Sequence, residues 1–167
     1  MFYWQYCDVP EEDTKFIQNM YKENLPSNSD FFQEIIIPIK TFMNIKIEKA
    51  VLIQVAPFSN CPIHADHPVD IEVKCKLALN IPLENCENSV TRLWDIAGQH
   101  TEVKYTSNNA RYHYYDPVLC KKITEFHLTE PVLFDTTVPH SVHNMSDKWR
   151  RAISLRFESD PWHLVNN

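Results

Sequence analysis

Ile71-Glu72-Val73-Lys74-Cys75-Lys76-Leu77-Ala78-Leu79-Asn80-Ile81 alternates with a period of two. Ile71, Val73, Cys75, Leu77, Leu79 and Ile81 share one face of an extended chain, and Glu72, Lys74, Lys76, Ala78 and Asn80 share the other. Working outward, the same period begins at Asn44. Ile45 and Ile47 alternate with Lys46 and Glu48, and the apolar run Ala50-Val51-Leu52-Ile53 follows. Downstream, Ser89–Ile96, Thr101–Thr106, Ile123–Leu128, Val132–Phe134 and Arg151–Glu158 read as further short strands.

The start of the chain reads differently. Asp8 with Glu11 suits a capping box, and Phe16, Ile17, Met20 and Tyr21 then fall on one helical face. Leu25-Pro26 ends that pattern. A second short helix is expected after Ser29, with Phe31, Phe32, Ile35 and Ile36 on one face and Pro38 as its stop. The expectation is an α+β, mainly β chain of one domain spanning 1–167. A helical segment, 1–40, would pack on a β-sandwich or barrel core, 44–160.

Composition removes several function classes. The single glycine, Gly98, excludes a P-loop and a Rossmann phosphate turn, since both need several glycines where backbone meets phosphate. The net charge of −6 gives no general attraction to nucleic acid or to an anionic membrane. No apolar run is long enough to span a bilayer. The five cysteines, Cys7, Cys61, Cys75, Cys86 and Cys120, are odd in number and form no C-x-x-C pair. A cysteine zinc site is therefore disfavoured, and a reducing, cytoplasmic setting is expected. Oligomeric state is left open.

Two segments carry chemistry. One is Ile63-His64-Ala65-Asp66; the other is Pro139-His140-Ser141-Val142-His143-Asn144, with Arg150 and Arg151 shortly beyond. Side chains two apart on a strand point the same way, so His64 and Asp66 converge if the segment is extended, as Pro62 before it favours. His140 would complete the set from a neighbouring strand. Two imidazoles and a carboxylate on one face of an octahedron leave positions open for a co-substrate and O₂, the arrangement suited to non-haem Fe(II) oxygenases. His64-Ala65-Asp66 alone is weak; its combination with His140 and a downstream arginine is what adds weight.

These pieces resemble the Fe(II)/2-oxoglutarate-dependent dioxygenases. Leu77-Ala78-Leu79-Asn80-Ile81-Pro82-Leu83, Phe134-Asp135-Thr136-Thr137-Val138 before His140, and Trp149-Arg150-Arg151-Ala152-Ile153-Ser154-Leu155-Arg156-Phe157 also match. The similarity is closest to small single-domain members related to aspartyl/asparaginyl β-hydroxylases and phytanoyl-type hydroxylases. It implies a double-stranded β-helix (jelly-roll, cupin-like) core, iron ligands His64, Asp66 and His140, and an arginine that forks onto the distal carboxylate of 2-oxoglutarate. Arg150 and Arg151 both stand at the expected place. Arg151 is preferred because alternation groups it with Ile153, Leu155 and Phe157 on what should be the inner face; Arg156 has the opposite parity. Asn80 is a further candidate for the co-substrate, or else a polar residue at a strand end. The resemblance implies a hydroxylase for a small-molecule or peptide substrate, with 2-oxoglutarate and O₂ converted to succinate and CO₂.

Three rival readings are set against this. His64-x-x-His67 with His140-x-x-His143 would make a four-histidine site, but a spacing of three points rings to opposite faces of a strand. A cupin-like metalloenzyme could use the same ligands without 2-oxoglutarate. A β-helix binding module could keep the motifs without catalysis. Asn144 reads as a turn former rather than a contact of the site, Trp94 as core rather than pocket lining, and Arg111-Tyr112-His113-Tyr114-Tyr115 as an edge strand or a substrate-facing loop.

Overall fold

The computed structural model describes residues 2–23, 32–35, 41–66, 74–98, 102–106 and 111–164, with backbone alone for 32–35. The described residues are mostly β: two curled antiparallel sheets and one α-helix. In chain order the elements are β1 (Trp4–Tyr6), α1 (Glu11–Glu23), β2 (Phe32–Ile35), β3 (Thr41–Phe42), β4 (Ile45–Val55), β5 (His64–Ala65) and β6 (Leu77–Glu84). They continue with β7 (Ser89–Ile96), β8 (Glu102–Tyr105), β9 (Arg111–Tyr114), β10 (Cys120–Phe126), β11 (Val132–Asp135), β12 (His140–Asn144) and β13 (Arg150–Phe157). The first sheet runs β1-β11-β6-β13-β4-β2, with β3 hairpinned onto β4; the second runs β10-β7-β12-β5-β9-β8. From β4 to β7 and again from β10 to β13 the chain passes between the two sheets, so neighbours in sequence face each other across the interior.

The first sheet is buried on both faces. Its outer face carries Leu52, Leu77, Leu79, Ile81, Leu133, Ile153, Leu155 and Phe157, packed under Ile17, Met20 and Tyr21 of α1. Its inner face carries smaller and more polar groups: Ala78, Asn80, Ala152, Ser154 and Arg156, with Phe134 beside them. Three glutamate or aspartate side chains, Glu11, Glu12 and Asp13, occupy the first turn of α1, where they meet the positive end of the helix dipole. The Pro10 carbonyl accepts the first helical bonds, from the Asp13 and Thr14 N–H groups.

Several sequence expectations change here. Among the described residues there is one α-helix, and Phe32–Ile35, expected in a second, is a strand paired with β4. The residues that suggest a helical face there, isoleucine and phenylalanine, also rank high in strand preference, and the open backbone of β4 decides between them. Phe16, expected on the buried helix face, is solvent-exposed. The strand read as Ile71–Ile81 starts at Leu77 and runs on through Pro82 to Glu84; residues 71–73 lie outside the described residues. Pro82 has no N–H to give the ladder, and the register with β13 slips there, between the pairs Arg151–Glu84 and Ala152–Pro82. At the other end of β6, the Asp160 carboxylate accepts from the Lys76 and Leu77 N–H groups, at 2.6 and 2.9 Å.

The interface between α1 and the first sheet is the largest apolar layer of the molecule. Leu79, fully buried in it, is expected to cost about 2–5 kcal/mol when replaced by alanine. Urea unfolding followed by far-ultraviolet circular dichroism measures this loss.

Candidate metal centre

His64, Asp66 and His140 come together between the sheets, each offering a donor atom within 4.8 Å of the others. The local chain explains the convergence. His64 in β5 and His140 in β12 are direct cross-strand partners, so their rings share a face, with centroids 4.4 Å apart. Asp66 lies just past β5 and is held by the turn between β11 and β12: its N–H donates to the Thr136 carbonyl at 3.2 Å. Thr136 is itself pinned, its Oγ1 donating to the Lys76 carbonyl at 2.8 Å.

Both rings are oriented through Nδ1. His64 Nδ1–H donates to the Pro62 carbonyl at 2.8 Å, and His140 Nδ1–H donates to the Val138 carbonyl at 2.9 Å. A carbonyl can only accept, so each Nδ1 carries a proton and each Nε2 faces inward, toward Asp66. His64 Nε2 lies 3.6 Å and His140 Nε2 4.0 Å from Asp66 Oδ1. The other carboxylate oxygen, Oδ2, accepts from Arg156 Nη2 at 2.5 Å. Two nitrogens and an oxygen thus point at one spot, backed by carbonyls that fix ring orientation, which is what a nitrogen–oxygen metal site requires.

Burial dominates the electrostatics. It acts to raise the Asp66 carboxyl, but the charges of Arg156, His140 and His64 outweigh it and hold the group well below the usual carboxylate range. Burial also opposes charge on both imidazoles. On His64 the contacts of Cys61 and the charge of Asp66 overcome it, and the ring is pushed up to about 9. On His140 burial combines with the neighbouring His64 charge to push the ring down to about 4.

A cavity beside the triad is lined by Cys61, Asn80, Thr91, Phe134, Arg150 and Arg156 among others. Arg150, 1% exposed, is the largest fully buried side chain among the described residues, and its Nε and Nη1 have no hydrogen-bond partner among them. Asn80 Oδ1 and Ser154 Oγ, both buried, are in the same condition. Asn80 and Ser154 are register partners across β6 and β13.

The parity expected for the last strand is reversed. Arg151 does share a face with Ile153, Leu155 and Phe157, but that face is the outer one, under α1. There Arg151 donates to Gln54 Oε1 at 2.9 Å and to Glu84 Oε2 at 2.6 Å. Arg150 and Arg156 are the arginines that line the cavity. Asn80 lines it too. His143 points to the outer face of the second sheet, where it bonds Ser141 Oγ; His67 lies outside the described residues. Trp94 is on that outer face as well, donating to Ser141 Oγ at 3.0 Å. Asn144 ties turns together, donating to the Val55, Ala56 and Lys148 carbonyls. Tyr112 meets the His64 ring edge to face at 5.8 Å. Sequence reasoning left Cys61 and Thr91 out of the site; Cys61, just upstream of His64, carried the one readable signal.

No family model matches this chain, and no curated protein matches it in sequence. Among solved structures, EvdMO1 aligns with a TM-score of 0.55 and 13% identity, over 96% of this chain and 48% of that one. The likeness is one of fold, and this chain spans about half the length of EvdMO1. A Pseudomonas putida prolyl-4-hydroxylase aligns at 0.48 with 13% identity over 95% and 94% of the two chains. AviO1 from Streptomyces viridochromogenes Tue57 aligns at 0.47 with 11% identity over 96% and 90%. No helix among the described residues is long and apolar enough to cross a membrane.

Arg156→Ala would leave the Asp66 carboxylate buried without its cationic partner. The expected cost in metal-free protein is about 3–5 kcal/mol, read from denaturant unfolding. The Asp66 carboxyl should also titrate at higher pH than in wild type, because Arg156 is the first of the charges that hold it down; carbon-detected NMR of the carboxyl group measures that shift.

Proposed function

We propose that this chain is an Fe(II)- and 2-oxoglutarate-dependent oxygenase that hydroxylates a small-molecule or peptide substrate. The observation that carries the reading is Arg150. A fully buried guanidinium with unpaired donors, in the same cavity as two histidines and a carboxylate, asks for an anion beside a metal. The donor set fits Fe(II), which nitrogen and oxygen ligands hold while leaving positions open. The passage of β4–β7 and β10–β13 between facing sheets supports a double-stranded β-helix core.

In this reading His64, Asp66 and His140 hold the iron. Bound there with 2-oxoglutarate and O₂, iron supplies the oxidising chemistry: substrate C–H becomes C–OH while the keto acid is split to succinate and CO₂. The residues of the chain do the rest. Pro62 and Val138 carbonyls keep the Nε2 lone pairs of His64 and His140 aimed at the metal. Arg156 keeps Asp66 ionised, so that the carboxylate stays a ligand rather than an acid. Arg150 forks onto the distal carboxylate of 2-oxoglutarate, and Asn80, whose amide can present either end, bonds the same ligand. Ile53, Phe134 and Val142 exclude water from the space between. Arg151, bonded to Glu84 and Gln54 on the far face, has no part in it. Five free thiols support a reducing compartment such as the cytoplasm.

Anaerobic titration with Fe(II) and 2-oxoglutarate tests the reading. The weak visible charge-transfer band of the iron–keto acid chelate is expected; folded, iron-loaded protein without that band would overturn it in favour of a metalloenzyme that does not use 2-oxoglutarate. Arg150→Ala should weaken 2-oxoglutarate binding roughly 10- to 100-fold, the worth of one or two charged hydrogen bonds, while Arg151→Ala leaves it unchanged.

A further inference from the structure

Cross-strand pairing carries the metal-binding face outward from the centre. His140 pairs with His64, His64 with Tyr114, and Tyr114 with Glu102, so one row of side chains crosses β12, β5, β9 and β8 on a single face. Tyr112 and Lys104, two positions along those strands and paired with each other, share that face. The Tyr112 ring stands 5.8 Å from the His64 ring and at 79° to it. Asp66 follows directly on the Ala65–His113 pair, and its side chain is the most exposed of the three donors, 16% against 9% for His64 and 7% for His140. The far end of the row is charged. Lys104 Nζ lies 3.8 Å from the centre of the Tyr114 ring and 2.7 Å from Glu102 Oε1. Tyr112 and Tyr114 are half-buried, while the Lys104 and Glu102 side chains reach solvent.

We propose that this row is the substrate platform, and that Tyr114 and Glu102 seat the ammonium or guanidinium end of a substrate carried on a flexible chain. The proposal rests on the oxygenase reading above and names its substrate class. A cation already sits in the seat: the Lys104 ammonium lies over the Tyr114 ring, with its charge matched by Glu102. A ring face beside a carboxylate attracts other organic cations in the same way. Lys104 is cheap to displace, since an exposed ion pair is worth about 1 kcal/mol or less. Its long stem can swing the ammonium into solvent. Neighbouring strands lie about 4.8 Å apart, so Glu102 stands two spacings, roughly 10 Å, from His64. A cationic end held there leaves several bonds of chain to lie along Tyr112 before a C–H reaches the metal. Tyr112 is then a positioning residue: its ring, packed against His64, is the wall the chain follows. An anionic substrate is disfavoured, because Glu102 stands in the row and the chain carries a net charge of −6.

Full-length protein with isotope-labelled tyrosine rings, titrated by NMR, tests this. The probes are free L-lysine and short peptides with a central lysine, Nε-acetyl-lysine or glutamate. The lysine peptide, free lysine or both should shift the Tyr114 ring resonances saturably, and the acetylated peptide should not; which of the two binds tells a protein side chain from a small amine. Glu102→Gln should weaken binding by up to about fivefold, the worth of one exposed ion pair, and Lys104→Met should tighten it by a similar factor, because the competing cation is gone. A merely structural Lys104 would give no tightening. No shift with either lysine probe, equal binding of the acetylated peptide, tighter binding of the glutamate peptide, or weaker binding in Lys104→Met would each overturn the proposal. In iron-loaded enzyme, Tyr112→Ala should lower hydroxylation per succinate released; unchanged coupling would overturn the role of Tyr112. Cation binding is read without iron, so it is independent of the Fe(II)–2-oxoglutarate band. The band without cation binding sinks the platform alone; cation binding without the band sinks the oxygenase and leaves a cation site.

Discussion

A strand has two faces, and β13 spends them on opposite tasks. Toward α1 it presents Ile153, Leu155 and Phe157, which join the apolar layer that fixes the first sheet. Toward the interior it presents Arg150, Ala152, Ser154 and Arg156. Small residues between two arginines leave room for a ligand there, and β13, between β4 and β6, is held on both sides by long antiparallel ladders. The centre depends on this division. Arg150 can be held in place with unpaired donors because the other face supplies the apolar burial that keeps the strand in position.

The same constraint explains what could and could not be read from the chain. That His64, Asp66 and His140 would cluster could be read from the chain because two imidazoles and a carboxylate on extended segments make a recognisable donor set, and their donor atoms lie within 4.8 Å of one another. The arginines were misread for a physical reason. The apolar face of a strand points inward when the opposite face meets water. Here both faces of β13 are buried, and the apolar one faces a helix. The interior between the sheets takes the polar set instead, so alternation groups Arg151 with its apolar neighbours correctly and assigns that group to the wrong side. The polar face of β6, with Ala78 and Asn80, carries the same lesson.

Asp66 shows a different limit. It lies past the end of β5, and its place is set by the Asp135–Val138 turn, through Thr136 and Lys76. That turn also supplies the Val138 carbonyl for His140. Neither tie has a sequence signature, since the partners are backbone groups that any residue carries. The second strand segment, Phe32–Ile35, was illegible on similar grounds: its assignment comes from pairing with the edge of β4, a feature of the assembled sheet.

Arg150 links this architecture to ligand binding. Burying a guanidinium whose donors lack acceptors costs several kcal/mol, a loss the folded state must offset elsewhere. An anion in the cavity removes that cost, so part of its binding free energy is relief of a penalty already present in the empty protein. Ligand and fold are then coupled by mass action: an anion at about 100 times its dissociation constant stabilises the native state by about 2.7 kcal/mol. Arg156 differs because Asp66 already satisfies it. Of the two cavity arginines, one is paired with Asp66 and the other keeps unpaired donors; under the proposed function that asymmetry would give the pocket a direction, with a cation at the Asp66 end and an anion at the Arg150 end.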